Sequence, residues 1–456
     1  METYSRKTPV WNRFNKTQQK ECHKYAEEYK KFLDAARTER LANKEIIRQA
    51  KAAGYRPLSS FSELHAGDKV YLDHKGKAVI MAVIGRDDMR QGLKLIGSHI
   101  DSPRLDLKAN PLDEKDGLVF LRTHYYGGIK KYQWVCMPLA LVGVIAKTDG
   151  SLVNVEMGLD SKDPVLYITD ILPHLGQTQA QKKLNEAITG EMLLPVIGGH
   201  GEDKKSAKEM VLKIFGDKYG ITEEDFASAE LEVIPAQCAR DVGIDRAFVM
   251  AHGQDDRVCS YGNLAAILAA KPSTKTQVAL FTDKEEIGSY GNTGVNSSYV
   301  TDFIMDLLEL QGDGSHRALR DTLRHTEILS ADVTASFDPT FADTMEKNNS
   351  SLTGFGIVLT KYTGARGKSG SNDANAEFLG KVRSIFNENN VPWQIGELGK
   401  VDQGGGGTIA LYLAAWGCEV VDCGVTMLSM HAPLELVEKT DAYCAYLAYK
   451  AFFESN

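Results

Sequence analysis

Residues 93–102 read LKLIGSHIDS. A short apolar run that stops at glycine and serine is the mark of a buried strand. Here the run is followed at once by His99 and Asp101, two residues that bind metals and move protons. Upstream, KVYLD at 69–73 and KAVIMAVIG at 77–85 read as further strands. Residues 15–53 are rich in Lys, Glu, Gln and Ala, with Tyr25, Tyr29, Phe32 and Leu33 at helical spacing, and read as one or two helices. Past residue 245, NLAAILAAK, TQVALFTD, TDFIMDLLELQ, TEILSADV, TIALYLAAWG and EVVDCGVTM alternate helix and strand patterns. Strands that alternate with helices predict an α/β domain built on a largely parallel sheet.

The middle of the chain has another texture. GLVFLRTHYY, PLALVGVIAK and SLVNVEM are strand-rich, whereas 176–230 is polar, with helical tracts and loops. Because the α/β pattern breaks off and then resumes, we expect a catalytic domain of residues 1–104 and 241–456, with 105–240 inserted as a separate domain that makes subunit contacts.

The chain has 456 residues and a net charge of −8 without a long basic run. That argues against nucleic acid as a partner, since phosphate recognition needs clustered Lys and Arg. No apolar run reaches the roughly 20 residues needed to span a bilayer, so no membrane partner is expected. The N-terminus METYSRKTPVWNRFNK lacks the apolar core of a signal peptide. Seven cysteines, an odd number with no C-x-x-C pair, fit reduced thiols in a cytoplasmic protein.

Ligand-type residues recur at or just past the ends of apolar runs: His99 and Asp101; His252, Asp255 and Asp256 in AHGQDDRVCSY; Glu285 and Glu286 in VALFTDKEEIGSYG; Asp332 in EILSADVTAS; and His431 in VVDCGVTMLSMHAP. Taken singly, each is more often a structural histidine, a helix cap or a charged turn. Parallel sheets, however, open their carboxyl ends onto one crevice. Histidines and carboxylates gathered there are the donor set of a metal such as zinc. In a strand, residues i and i+2 share a face, so Asp101 can hold the imidazole nitrogen of His99 that does not face the metal. The adjacent Glu285 and Glu286 leave the chain in different directions, so one can bind metal while the other moves protons.

With these residues in view, GSHIDSP, GQDDR, FTDKEEIGS, SADV and MHAPLE, in this order, resemble the aspartyl-aminopeptidase-like family of dinuclear zinc aminopeptidases, over essentially the whole chain and including a PHLG segment in the insert. The resemblance implies a phosphorylase/hydrolase-like α/β zinc-peptidase domain with an inserted β-rich dimerisation domain. It implies that His99, Asp255, Glu286, Asp332 and His431 are metal ligands, that Asp255 bridges two zinc ions, for which cobalt or manganese can substitute, and that Glu285 is the general base. Asp101 is expected to assist it through His99. The substrates implied are peptides, cut at the N-terminus, and the assembly implied is a dimer-based homo-oligomer, in this family commonly a hollow tetrahedral dodecamer.

There are departures. Ala432 and Pro433 follow His431 where the family usually has Ser, and the histidines that eukaryotic members carry after SAD and after PHL are missing. Strict preference for acidic N-terminal residues is therefore not expected. Substrate contacts are expected from Lys361, from Gly406 and Gly407, where backbone can approach a ligand closely, and from His174 of PHLG. Alternatives are a related two-metal carboxypeptidase or deacylase, which would need an arginine such as Arg104, Arg257 or Arg366 for the substrate carboxylate, and a non-catalytic assembly scaffold.

Overall fold

The computed structural model describes residues 3–202 and 204–455. The chain divides into two compact units, one of Met1–Asp101, Ala239–Met430 and Glu435–Asn456, the other of Ser102–Cys238 and His431–Leu434. The boundaries expected at 104 and 241 fall instead at 101 and 239. A short return segment, 431–434, belongs by its contacts to the inserted unit. Nothing in the local sequence announces that segment, because its assignment depends on long-range contacts.

The first unit is built on a nine-stranded sheet. Its strands are β1 (Arg56–Pro57), β2 (Lys69–His74), β3 (Ala78–Val83), β4 (Lys94–His99), β5 (Gln277–Thr282), β6 (Glu327–Ser330), β7 (Ile357–Thr360), β8 (Trp393–Ile395) and β9 (Glu419–Gly424). Their order across the sheet is β1-β2-β3-β5-β4-β6-β9-β7-β8. The middle, β5-β4-β6-β9, is parallel, but β3 runs antiparallel to β2 and β5, and β7 antiparallel to β9. The sheet is thus mixed rather than largely parallel. The short, tight link between β2 and β3 permits only a hairpin, since a parallel return would need a crossover of a dozen residues or more.

The sheet separates two cores. In β3, Val79, Met81 and Val83 enter one core and Ala78, Ile80 and Ala82 the other, the alternation a strand imposes. The first core is covered by helices Lys16–Ala35, Glu39–Ala52, Gln254–Ala269, Ala376–Glu388 and Lys439–Glu454. The second is covered by Tyr299–Leu310, His316–His325 and Ala410–Ala414. The amino-terminal helix begins on a capping box, with Asn15 accepting the Gln18 N–H and Gln18 answering the Asn15 N–H. A five-stranded sheet of the same unit orders Arg240–Val242, Phe248–Ala251, Glu435–Glu438, Thr426–Leu428 and Thr334–Ala335.

The inserted unit has an antiparallel sheet of seven strands. Strand Ala229–Pro235 pairs with both Arg104–Lys115 and Pro138–Ala146, which closes the sheet on itself. Trp134, Leu141, Val155, Leu193 and Val233 fill its interior. Its surface nonetheless carries large exposed apolar side chains, among them Leu152, Ile171, Leu172, Leu175 and Leu184. All seven cysteines are free thiols. Among the described residues no helix is long and apolar enough to cross a membrane.

Candidate metal centre

β4 ends at His99, and the parallel strands beside it end close by, β5 at Thr282 and β6 at Ser330. The chain leaving each of them carries a carboxylate into the same place. Past β5 the backbone turns through Lys284, at φ +66°, into a single 3-10 turn, Glu285–Ile287. Past β6 comes Asp332. Asp255 arrives from a separate direction, at the start of the buried helix Gln254–Ala269, beside a cis Asp255–Asp256 peptide.

Two overlapping groups of donor atoms result. His99, Glu285 and Asp332 form one, and His99, Asp255 and Glu286 the other; within each, the atoms lie within 4.8 Å of one another. His99 Nε2 is 3.3 Å from Asp255 Oδ1, 3.6 Å from Asp332 Oδ1 and 3.9 Å from Glu285 Oε2. Its Nδ1 is 3.1 Å from the carbonyl oxygen of Asp101 and 3.2 Å from the Asp101 carboxylate. Both are acceptors, so Nδ1 carries the proton and Nε2 offers its lone pair to the cluster. β4 stops at His99, so Asp101 reaches the imidazole from the loop beyond the strand and not from a shared strand face.

Asp101 does a second thing that the spacing did not reveal. Its two carboxylate oxygens accept the backbone N–H groups of Glu285 (3.1 Å) and Glu286 (3.2 Å). One buried side chain therefore fixes both the histidine and the turn that presents the two glutamates. Two more carboxylates brace the set. Asp256 Oδ2 accepts the His99 N–H at 3.3 Å, and Glu435 Oε2 accepts the Asp255 N–H at 3.0 Å. In the sequence, Asp256 stands next to the candidate ligand Asp255, and Glu435 four residues past the candidate ligand His431. Asp283, Lys284 and Thr293 form a linked trio under the glutamate turn.

The electrostatics call for a cation. Burial, and then the charge of Asp332, push the Glu285 carboxyl up to about 8. Burial likewise raises Asp332, and raises Asp256 well above the usual carboxylate range. Burial disfavours charging His99, yet Asp101, Asp255 and Asp332 together hold its imidazole well above its ordinary value. Carboxylates packed this way repel one another in the chain by itself. A single imidazole cannot neutralise them, and nitrogen and carboxylate oxygen are the donors zinc takes. The residues present fit the metal.

The other candidates are not members of these two donor groups. His431, at φ +62°, belongs to the inserted unit, where its Nδ1 is 2.8 Å from the carbonyl oxygen of Gly128. His252 is buried, whereas His174 is exposed in its turn and His124 stacks on Tyr125. Lys361 pairs with Asp373, which Lys368 also contacts. A Cβ on Gly407 would strike the carbonyl of Gly370, so that glycine is required by its own chain; at Gly406 a Cβ meets open space. Arg104 is held by Asp106 and Glu232 against the Tyr126 ring, Arg257 is buried, and Arg366 stands exposed at φ +54°.

The profile of the family described as aminopeptidase I zinc metalloprotease (M18) matches residues 32–453. The chain belongs to the M18 aminopeptidases. Among M18 relatives, a probable M18 family aminopeptidase 1 of Clostridium acetobutylicum is 48% identical over 454 residues, covering 98% of each chain. The crystal structure of the M18 aminopeptidase of Thermotoga maritima superposes with a TM-score of 0.95 at 43% identity, over 99% of this chain and 100% of that one. The S. cerevisiae mApe1 dodecamer shares the M18 fold at a TM-score of 0.76 and 19% identity, over 94% of this chain and 96% of that one.

Proposed function

We propose that this M18 aminopeptidase releases the N-terminal residue of peptides with water activated at two zinc ions per subunit. The observation that carries this reading is the gathering of one imidazole and four carboxylates, His99, Asp255, Glu285, Glu286 and Asp332, in two overlapping donor groups, more acids than one ion needs. His99, Asp255 and Asp332 would hold one ion, Asp255, Glu286 and His431 the other, and cobalt or manganese could replace zinc. Bound there, the metal supplies a Lewis acid that acidifies water and polarises the scissile carbonyl.

The chain's own residues do the rest. Glu285, only partly exposed and crowded by Asp332, is suited to taking a proton from the attacking water and passing it to the leaving amine nitrogen. Asp101 keeps His99 in one tautomer and holds the backbone of Glu285 still, so base and ligand stay in fixed relation. Asp256 and Glu435 tie the backbones of His99 and Asp255. The substrate's free amine would sit among these carboxylates, which restricts cutting to a chain end. Lys361 is engaged by Asp373 and the two family histidines are absent, which supports neutral N-terminal residues as substrates as well. Gly406 and His174 remain proposed substrate contacts, and Gly407 acts there only through its backbone. The inserted unit, residues 102–238, with apolar side chains on its surface, serves subunit contacts in a cytoplasmic homo-oligomer, dimer-based and dodecameric like S. cerevisiae mApe1.

The test is a panel of Asp-, Glu-, Leu- and Ala-chromogenic substrates with zinc, cobalt and manganese, beside N-acetylated versions. Free amino substrates should be cut and blocked ones should not. Equal cleavage of blocked substrates would turn the reading toward a deacylase.

A further inference from the structure

β6 and β9 run parallel, with Ser330 opposite Asp422. Both chains then leave the nine-stranded sheet and pair again in the five-stranded one, with Thr334 opposite Thr426. The offset between partners is the same at both points, so the two segments cross from sheet to sheet without slipping. Asp332 and Gly424 face each other in the gap. Thr334 N–H, donated to the Val425 carbonyl at 2.9 Å, closes the far side.

Gly424 is buried and is not among the residues with a left-handed φ. Its backbone would accept alanine. The space would not: a Cβ there would fall on the carbonyl oxygen of Asp332, 2.5 Å from its carbonyl carbon and 3.1 Å from its amide nitrogen. These are backbone atoms of a strand pair, unable to swing aside as a side-chain tip can. We infer that Gly424 is a positioning residue for zinc binding, whose missing side chain lets the backbone of Asp332 settle where its carboxylate meets His99. The inference rests on the reading of Asp332 as a ligand. Any side chain at 424 must displace that carboxylate from its 3.6 Å approach to His99.

The test is zinc affinity and stoichiometry of the full-length protein, by chelator competition and elemental analysis, for Gly424→Ala, Thr334→Pro, Asp332→Asn and Gly97→Ala. Gly97 also lies in the central sheet, but the atoms a Cβ there would meet first are side-chain tips, of Ile409, Leu413 and Leu280. It controls for crowding in general. Gly424→Ala should weaken one zinc site at least tenfold, and Thr334→Pro, which removes the N–H bonded to the Val425 carbonyl without adding bulk at Gly424, should weaken the same site less. Asp332→Asn should weaken that site too, and Gly97→Ala should bind as the parent does. If Asp332→Asn keeps parental affinity, the ligand reading falls. If Asp332→Asn loses the site while Gly424→Ala and Thr334→Pro keep it, the positioning role falls alone. Should Gly424→Ala not fold, unchanged zinc binding by Thr334→Pro would overturn it.

Discussion

The two ends of β4 solve the same problem in opposite ways. At its start Lys94 is fully buried, yet its ammonium lies 2.6 Å from Glu327, which Lys381 also reaches at 2.7 Å, and it stands over the Phe452 ring. At its end His99 meets Asp101, Asp255, Glu285 and Asp332. The first end is balanced by the chain itself. The second has acids in surplus and is complete only with cations from outside. Five residues apart on one strand, one buried charge finds its partner within the chain and the other marks the proposed metal centre. What separates them is whether the chain supplies the counter-charge.

The largest effect that sharpens this contrast is expected at the acidic end. Glu285→Gln should lower kcat about 100- to 10,000-fold, as loss of a positioned base does, while bound zinc, measured by elemental analysis, stays near the parental level. A normal kcat would remove Glu285 from the mechanism. Loss of zinc as well would mean that the roles of Glu285 and Glu286 are exchanged.

Next comes removal of metal. Chelation should lower the unfolding midpoint, because a ligand at about 100 times its Kd contributes roughly 2.7 kcal/mol to the folded state. Lys94→Met should leave the size of that shift unchanged, since the lysine end is balanced without metal. A zinc shift that vanishes with Lys94→Met would break the comparison.

The smallest effect concerns pH. Burial lowers the Lys94 ammonium to about 8. Between that pH and the ordinary lysine value the unfolded chain binds more protons than the folded one, so this group's contribution to stability rises with pH. Below pH 8 the folded protein carries the full penalty. Denaturant unfolding of the parent should therefore gain on Lys94→Met by about 1 to 3 kcal/mol between pH 8 and 10. A constant difference across that range would show that Glu327 compensates Lys94 fully.

Much of the centre was legible because its residues stand at strand ends. His99, Asp255, Glu285, Glu286 and Asp332 each follow an apolar run, and parallel topology gathers such positions. Strand direction was harder to read. β3 and β7 have the same apolar texture as their parallel neighbours, since a buried strand looks alike in either direction. The fourfold glycine run was ambiguous for another reason: only coordinates show that a Cβ on Gly407 would meet the Gly370 carbonyl oxygen while one on Gly406 would meet open space. Lys361 is a charge on a glycine-rich loop, and its partner Asp373 lies 12 residues on, beyond any local pattern. The double duty of Asp101 was equally hidden, because the N–H groups it accepts lie more than 180 residues away.

The unslipped passage of 330–334 alongside 422–426 leaves no slack in length. A residue gained or lost in either segment would shift every later partner by one and turn its side chains to the opposite face. Asp332 would then point away from His99 even if every residue type were kept. Surface loops of this enzyme can lengthen or shorten as it diverges, but these two five-residue segments can change only by substitution. They mark where a gap in an alignment signals a lost enzyme.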